Sequence, residues 1–215
     1  MEHDRVELDG HAVDLQAKVY LMMNKPRGLV TTAADEKGRK TVYEVLEKAG
    51  GSLPWVAPVG RLDRASEGLL LLTNDSEWGA KISAPETHLD KTYHVQIGTV
   101  ADENLIRAIT RGVKVADGKC FRSTKSSVLR TGQKNCWLEI VLDEGKNRQI
   151  RRMFAALDVE VLRLVRVAIG PLALGKLAKG SYRPLTIEEK LALDRAVAKP
   201  GVQISKRSEN RLKSF

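Results

Sequence analysis

The sequence predicts an α+β fold, a mixed and mainly antiparallel sheet with flanking helices. Strand-like segments outnumber helical ones and come in runs, without strict β–α–β alternation, which argues against a wholly parallel sheet. No internal repeat and no low-complexity linker interrupts residues 20–198.

The elements follow in chain order. Tyr20-Leu21-Met22-Met23 reads as a short buried strand, stopped by the breakers of Asn24-Lys25-Pro26-Arg27-Gly28. Thr41-Val42-Tyr43-Glu44 is a capping box, followed by Val42, Val45, Leu46 and Ala49 at helical spacing and Gly50-Gly51 as a stop. Gly68 to Thr73 holds four consecutive leucines, the length of a strand buried on both faces, and Asn74-Asp75 closes it. A helix is expected from Ser76 to Ser83, ended by Pro85. Lys91 to Ile97 alternates, with Tyr93, Val95 and Ile97 on one face and Thr92, His94 and Gln96 on the other. Leu105, Ile106 and Ile109 predict a helix over Asp102–Thr110, stopped by Gly112. Trp137–Leu142 is a strand, Asn147 opens a further helix, Val161–Val167 is a late strand, and Thr186-Ile187-Glu188-Glu189 opens the last helix.

The chain divides into residues 1–19, a body over 20–198, and a polar, basic tail over 199–215 that is expected to be mobile. Its 215 residues carry a formal net charge of +9, a footprint for a polyanionic partner, most commonly nucleic acid. The first 19 residues hold five acids against two bases and the tail five bases against one acid. The body therefore shares in the basic character. No apolar run is long enough to span a bilayer and the start is acidic, so a cytoplasmic protein without membrane contact is expected. Cys120 and Cys136 form no CxxC pair, and neither they nor His3, His11, His88 and His94 show metal-ligand spacing. No metal is expected.

Two constellations carry chemistry. The first is Gly60-Arg61-Leu62-Asp63-Arg64-Ala65-Ser66-Glu67-Gly68, charged residues between glycines that open onto the leucine strand. This suits a site loop on a rigid scaffold, and equally a surface ion-pair network. The second is Asp143-Glu144-Gly145-Lys146-Asn147-Arg148-Gln149-Ile150-Arg151-Arg152-Met153-Phe154. With Asn147 as N-cap, Ile150, Met153, Phe154 and Leu157 form an apolar stripe, and Arg148, Arg151 and Arg152 share the opposite face. A helix start rich in cations is an anion site, or else a solvated basic face.

These segments, with Asn24-Lys25-Pro26-Arg27-Gly28, Lys91-Thr92-Tyr93 and Leu164-Val165-Arg166 followed by Gly170, stand in an order that resembles the RsuA/RluB-type family of ribosomal RNA pseudouridine synthases. The resemblance spans about residues 19–197. It implies the pseudouridine synthase fold and the cofactor-free isomerisation of a uridine in ribosomal RNA. Most relatives begin with a small RNA-binding S4 domain. Here only Val6 to Val13 resembles its exit strand, and Arg64 stands where many relatives have an aromatic residue.

By the same resemblance, Asp63 is the essential carboxylate, acting on the sugar as nucleophile or as base, and Arg151 is the cation that keeps it ionised. Tyr93 packs on the base, Arg61 assists its flipping, and Leu164 closes the apolar side of the uracil pocket. Lys25, Lys146, Arg148 and Arg152 would hold phosphates. No cofactor is required, the expected partner is ribosomal RNA, 23S before 16S, and a monomer is expected. Two other classes fit parts of the sequence: a non-catalytic RNA-binding or ribosome-assembly protein, and a glycoside hydrolase using Asp63 and Glu67 as a carboxylate pair.

Overall fold

A computed structural model describes residues 7–8, 11–12, 17–32, 35–48 and 53–198. The expected mobile tail, Ala49 and the Gly50-Gly51 stop lie outside the described residues. Within Val6–Val13, β1 (Glu7–Leu8) pairs antiparallel with β2 (His11–Ala12).

The centre is a nine-stranded sheet. Its members are β3 (Tyr20–Lys25), β4 (Ala57–Val59), β5 (Glu67–Thr73), β6 (Lys91–Ile97), β9 (Lys125–Thr131), β10 (Cys136–Leu142), β11 (Val161–Ile169), β12 (Leu172–Ala173) and β13 (Tyr182–Pro184). A separate pair, β7 (Val113–Lys114) and β8 (Cys120–Phe121), leads into β9. The main path runs β13-β3-β5-β11-β6-β10-β9, with β4 beside β5 and β12 beside β11. Every pairing in the sheet is antiparallel except β5 with β11, so the sheet is mixed and mainly antiparallel as expected.

Every residue of β5 is buried, as four leucines in a row require of a central strand. On one side Leu21, Met23, Val42, Val56, Leu62, Leu70 and Leu72 form a core. On the other, Met22, Leu69 and Leu71 pack with Trp78, Ile82 and Leu193, which belong to α2 (Ser76–Ser83) and α5 (Ile187–Ala198). A third core joins β6 and β10 to α3 (Glu103–Arg111) and α4 (Gln149–Ala155).

The caps explain the helix boundaries. Asp75 accepts from Trp78 N and opens α2; Asp102 accepts from Leu105 N and opens α3. Thr186 and Glu189 close a reciprocal capping box at α5. At α1 (Tyr43–Lys48), the Thr41 hydroxyl accepts from Tyr43 N rather than from Glu44 N, so the expected box is only half made.

The start of α4 corrects the sequence reading. The residue before the helix is Arg148, in the left-handed region at φ 48°, and Asn147 does not cap it. No side chain caps α4; Gln149 instead braces the turn before it, its side-chain oxygen accepting from Lys146 N at 3.3 Å and its amide nitrogen donating to Glu144 Oε1 at 2.7 Å.

Candidate active site

The loop that carries Asp63 is built on the first sequence motif. Lys25 ends β3 with no exposed surface, and its ammonium donates to the carbonyls of Ser66 (2.9 Å), Pro26 (3.1 Å) and Asp63 (3.2 Å). Burial lowers its pKa to about 8, opposed by the charges of Asp63 and Glu67. Gly28 N donates to Arg64 O, Arg64 Nε returns a bond to Gly28 O, and the buried Thr31 hydroxyl bonds both Leu62 N and Leu62 O. The Asn24–Gly28 turn is thus the cradle of the loop. Lys25 cannot hold a phosphate, because its three protons are already committed inside the protein.

Gly68 fixes the depth at which the loop sits. It lies at φ 101° where β5 meets β11, opposite Arg166. A Cβ there would overlap the Arg166 carbonyl oxygen and come within 2.8 Å of Arg166 N. Only glycine allows this approach.

Beside this junction opens a cleft of about 340 Å³. Arg61, Asp63, Tyr93, Lys146, Arg148 and Leu164 line it, so six of the nine residues singled out in the sequence converge there. The other three do not line it. Lys25 lies buried beneath the loop, Arg152 turns to Asp117 (2.6 Å), and Arg151 packs behind. Arg152 and Lys146 both sit over the ring of the buried Phe121, at 4.7 and 5.3 Å, and Lys146 also pairs with Glu144 at 2.7 Å.

The ion pair at Asp63 is made by Arg148, not by Arg151. Arg148 Nη1 lies 3.5 Å from Asp63 Oδ2. The left-handed backbone at Arg148 takes its side chain out of helical register and brings it to the cleft. Arg151, one turn into the helix, gives its fork to two backbone carbonyls, Ala65 O at 3.1 Å and Val161 O at 3.2 Å. Burial and the nearby charge of Arg148 lower its pKa, while the charge of Asp63 opposes them.

β11 supplies the floor. Leu164 and Arg166 lie two apart and share a face, while a register shift between Arg166 and Ala168 brings Ile169, not Ala168, to the cleft. Lys91 lines the cleft from β6, two residues from Tyr93 and on the same face. Neither Arg166 nor Lys91 was assigned a role from sequence, although both lie in matched segments. The i, i+2 spacing of Lys91 to Tyr93 and of Leu164 to Arg166 was the available signal.

Glu67 stands apart from this chemistry. It is a strand residue whose carboxylate takes both arms of Arg163 (2.9 and 3.1 Å) and Lys179 (2.6 Å), and it does not line the cleft. Burial pushes its carboxyl up, and the bonds from Arg163 and Lys179 outweigh that to leave it below the ordinary range. Asp63 and Glu67 therefore do not share the cleft, and they do not form the carboxylate pair of a glycoside hydrolase.

The comparisons with known proteins bear on this site directly. The family model described as RNA pseudouridylate synthase matches residues 19–156, which include Asp63, Tyr93 and the start of α4. The chain belongs to the RNA pseudouridylate synthase family. It is 37% identical over 201 residues to the ribosomal large subunit pseudouridine synthase B of Bacillus subtilis, covering 92% of this chain and 80% of that relative. It is also 37% identical to an uncharacterized RNA pseudouridine synthase of Aquifex aeolicus, over 91% of this chain and 78% of that relative. A crystal structure of a pseudouridylate synthase superposes with a TM-score of 0.70 at 32% identity, covering 84% of this chain and 75% of the other. The fold is that of the pseudouridine synthases, and the chain is an RNA pseudouridine synthase, an isomerase. Among the described residues no helix is long and apolar enough to cross a membrane.

Proposed function

We propose that this synthase, acting as a monomer in the cytoplasm, isomerises one uridine of large-subunit ribosomal RNA, with Asp63 as the essential carboxylate. The observation that carries the reading is Asp63 on the wall of the cleft, with Arg148 3.5 Å away and Tyr93 and Leu164 lining the same space. A catalytic carboxylate acts in its ionised form, and the Arg148 guanidinium is the cation that stands beside it.

The reaction breaks the bond from C1′ to N1, turns the uracil and joins C5 to C1′. The target base leaves its stack at a cost of a few kcal/mol, and stacking on Tyr93 returns about 1–3 kcal/mol of it. Leu164 closes the apolar side of the ring. Arg61, exposed at the mouth, takes space near the vacated stack. Lys146 and Arg148, each half exposed, meet phosphates on the approach. The large-subunit address rests on likeness to the Bacillus subtilis enzyme, whose name states that target.

Pseudouridine mapping of total ribosomal RNA from cells with and without the protein tests the reading. One uridine should lose its modification, in the large-subunit RNA. Purified Asp63→Asn should bind that RNA and form no pseudouridine. Full activity of Asp63→Asn overturns the residue assignment. An unchanged map favours a purely binding role.

A further inference from the structure

The cleft floor holds two cations that the reading above does not use. Arg166 is 6% exposed, and its Nε donates to Leu69 O at 2.8 Å. Its Nη2 is buried with no hydrogen-bond partner among the described residues. Such a group is uncommon in a folded protein and calls for a reason. Lys91 lies on the neighbouring strand, half-buried, and also lines the cleft. Among the described residues no carboxylate pairs with either within 4 Å; the acids that face Lys91 are Asp90 and Asp143, and Asp143 is itself 3.6 Å from His88. Burial and the charge of Arg166 together make the Lys91 ammonium costly to hold.

Two cations left without a paired anion, in a half-enclosed cleft, keep a positive potential at its floor. Two other cations of the same cleft are paired, Lys146 with Glu144 and Arg148 with Asp63, and Arg61 is exposed to solvent. The floor is different, and the chemistry supplies an anion for it. When the C1′–N1 bond breaks, its electron pair stays on the uracil. The charge spreads from N1 onto the O2 and O4 carbonyls. This holds whether Asp63 bonds to C1′ or takes a proton from C2′. The charge is discharged later, when C5 bonds to C1′, the C5 proton leaves and N1 gains a proton.

We propose that Lys91, backed by Arg166, is the charge sink that stabilises the detached uracil anion while it turns. The proposal rests on the isomerase reading of the same cleft. It adds a catalytic residue, Lys91, which meets the ring, and a positioning residue, Arg166, which acts through Lys91 and the field it sets. The same floor selects against a base that leaves as a neutral species, since such a base gains nothing from uncompensated cations.

The test is single-turnover conversion of a target RNA fragment, with RNA affinity measured on the same proteins. Lys91→Met is the main variant, and Lys91→Arg restores the charge. Arg166→Lys keeps a cation while removing the fork. Lys91→Met should lower the conversion rate about 100-fold, as removal of one preorganised charge-stabilising group does. RNA affinity should stay within about threefold, because the lost contact is made after bond cleavage. Lys91→Arg should recover much of the rate, and Arg166→Lys should fall between. An RNA carrying 5-fluorouridine at the target, whose base is a more stable anion but has no C5 proton to release, is followed by its rate of C1′–N1 cleavage, and that rate should fall less on Lys91→Met than the cleavage rate of the uridine RNA. A Lys91→Met enzyme of undiminished rate overturns the charge sink, as does an equal loss on both RNAs. If the unmodified enzyme makes no pseudouridine in this RNA, it is the isomerase reading that fails.

Discussion

Lys25→Met separates two roles that the same lysine was open to. In the structure its ammonium holds three backbone carbonyls, those of Pro26, Asp63 and Ser66, at 2.9–3.2 Å. Charge-assisted bonds contribute about 1.5–3 kcal/mol each, so three amount to about 4–9 kcal/mol. Burying the charge costs part of this. A pKa lowered from 10.5 to about 8 corresponds to about 3 kcal/mol at neutral pH. The variant should therefore lose about 1–6 kcal/mol of stability, although methionine replaces most of the buried stem. Chemical denaturation at pH 7 measures it. The pH dependence has a definite sign: the unfolded lysine binds its proton up to about 10.5 and the folded one only to about 8. Between those values the unfolded state carries more protons, so this group's contribution makes the wild type more stable as pH rises, and the variant lacks that rise. A phosphate-holding lysine would behave differently. Its loss would reduce the slope of log affinity against log salt by about 0.7–1 and leave stability alone. That result would refute the buried-cradle assignment.

Three further outcomes are expected. Arg148→Met should lower the conversion rate with little change in melting temperature, whereas Arg151→Met should lower the melting temperature by several degrees, because it strands the carbonyls of Ala65 and Val161; calorimetry beside single-turnover assays distinguishes them. Gly68→Ala should unfold the protein or separate β5 from β11 with loss of activity, and wild-type thermal stability would contradict the close approach at Arg166. Glu67→Gln should remove a contribution to stability that in the wild type is present above the ordinary carboxylate range and disappears as pH falls through the depressed folded value, which denaturation midpoints from pH 7 to pH 3 would follow.

Much of the fold was legible because local signals agreed with tertiary ones. The leucine run of β5, the alternation of β6 and the capping residues Asp75, Asp102 and Thr186 each state one local preference that packing leaves intact. The strands that were missed carry no such signal. β9 is an edge strand exposed along much of its length, and β4, β12 and β13 are two or three residues long. Their identity comes from the neighbour they bond to. Asn147 failed as a cap for the complementary reason, since the chain enters α4 through a left-handed Arg148, a turn that no local rule contains.

The sequence by itself determined the fold class, the family resemblance and the residue types of the site. Asp63, Tyr93 and Leu164 were recognisable because their motifs keep fixed order and spacing. The tertiary structure alone decided which cation meets which anion. Four arginines and lysines around α4 look alike in sequence, yet Arg148 reaches Asp63, Arg151 holds backbone, Arg152 goes to Asp117 and Lys146 to Glu144. A long cation can span many partners, and a left-handed residue, a β-bulge and a glycine that lets two strands touch select among them. Those are properties of the packed backbone, and they are why Lys25 lies beneath the site while Lys91 and Arg166 form its floor.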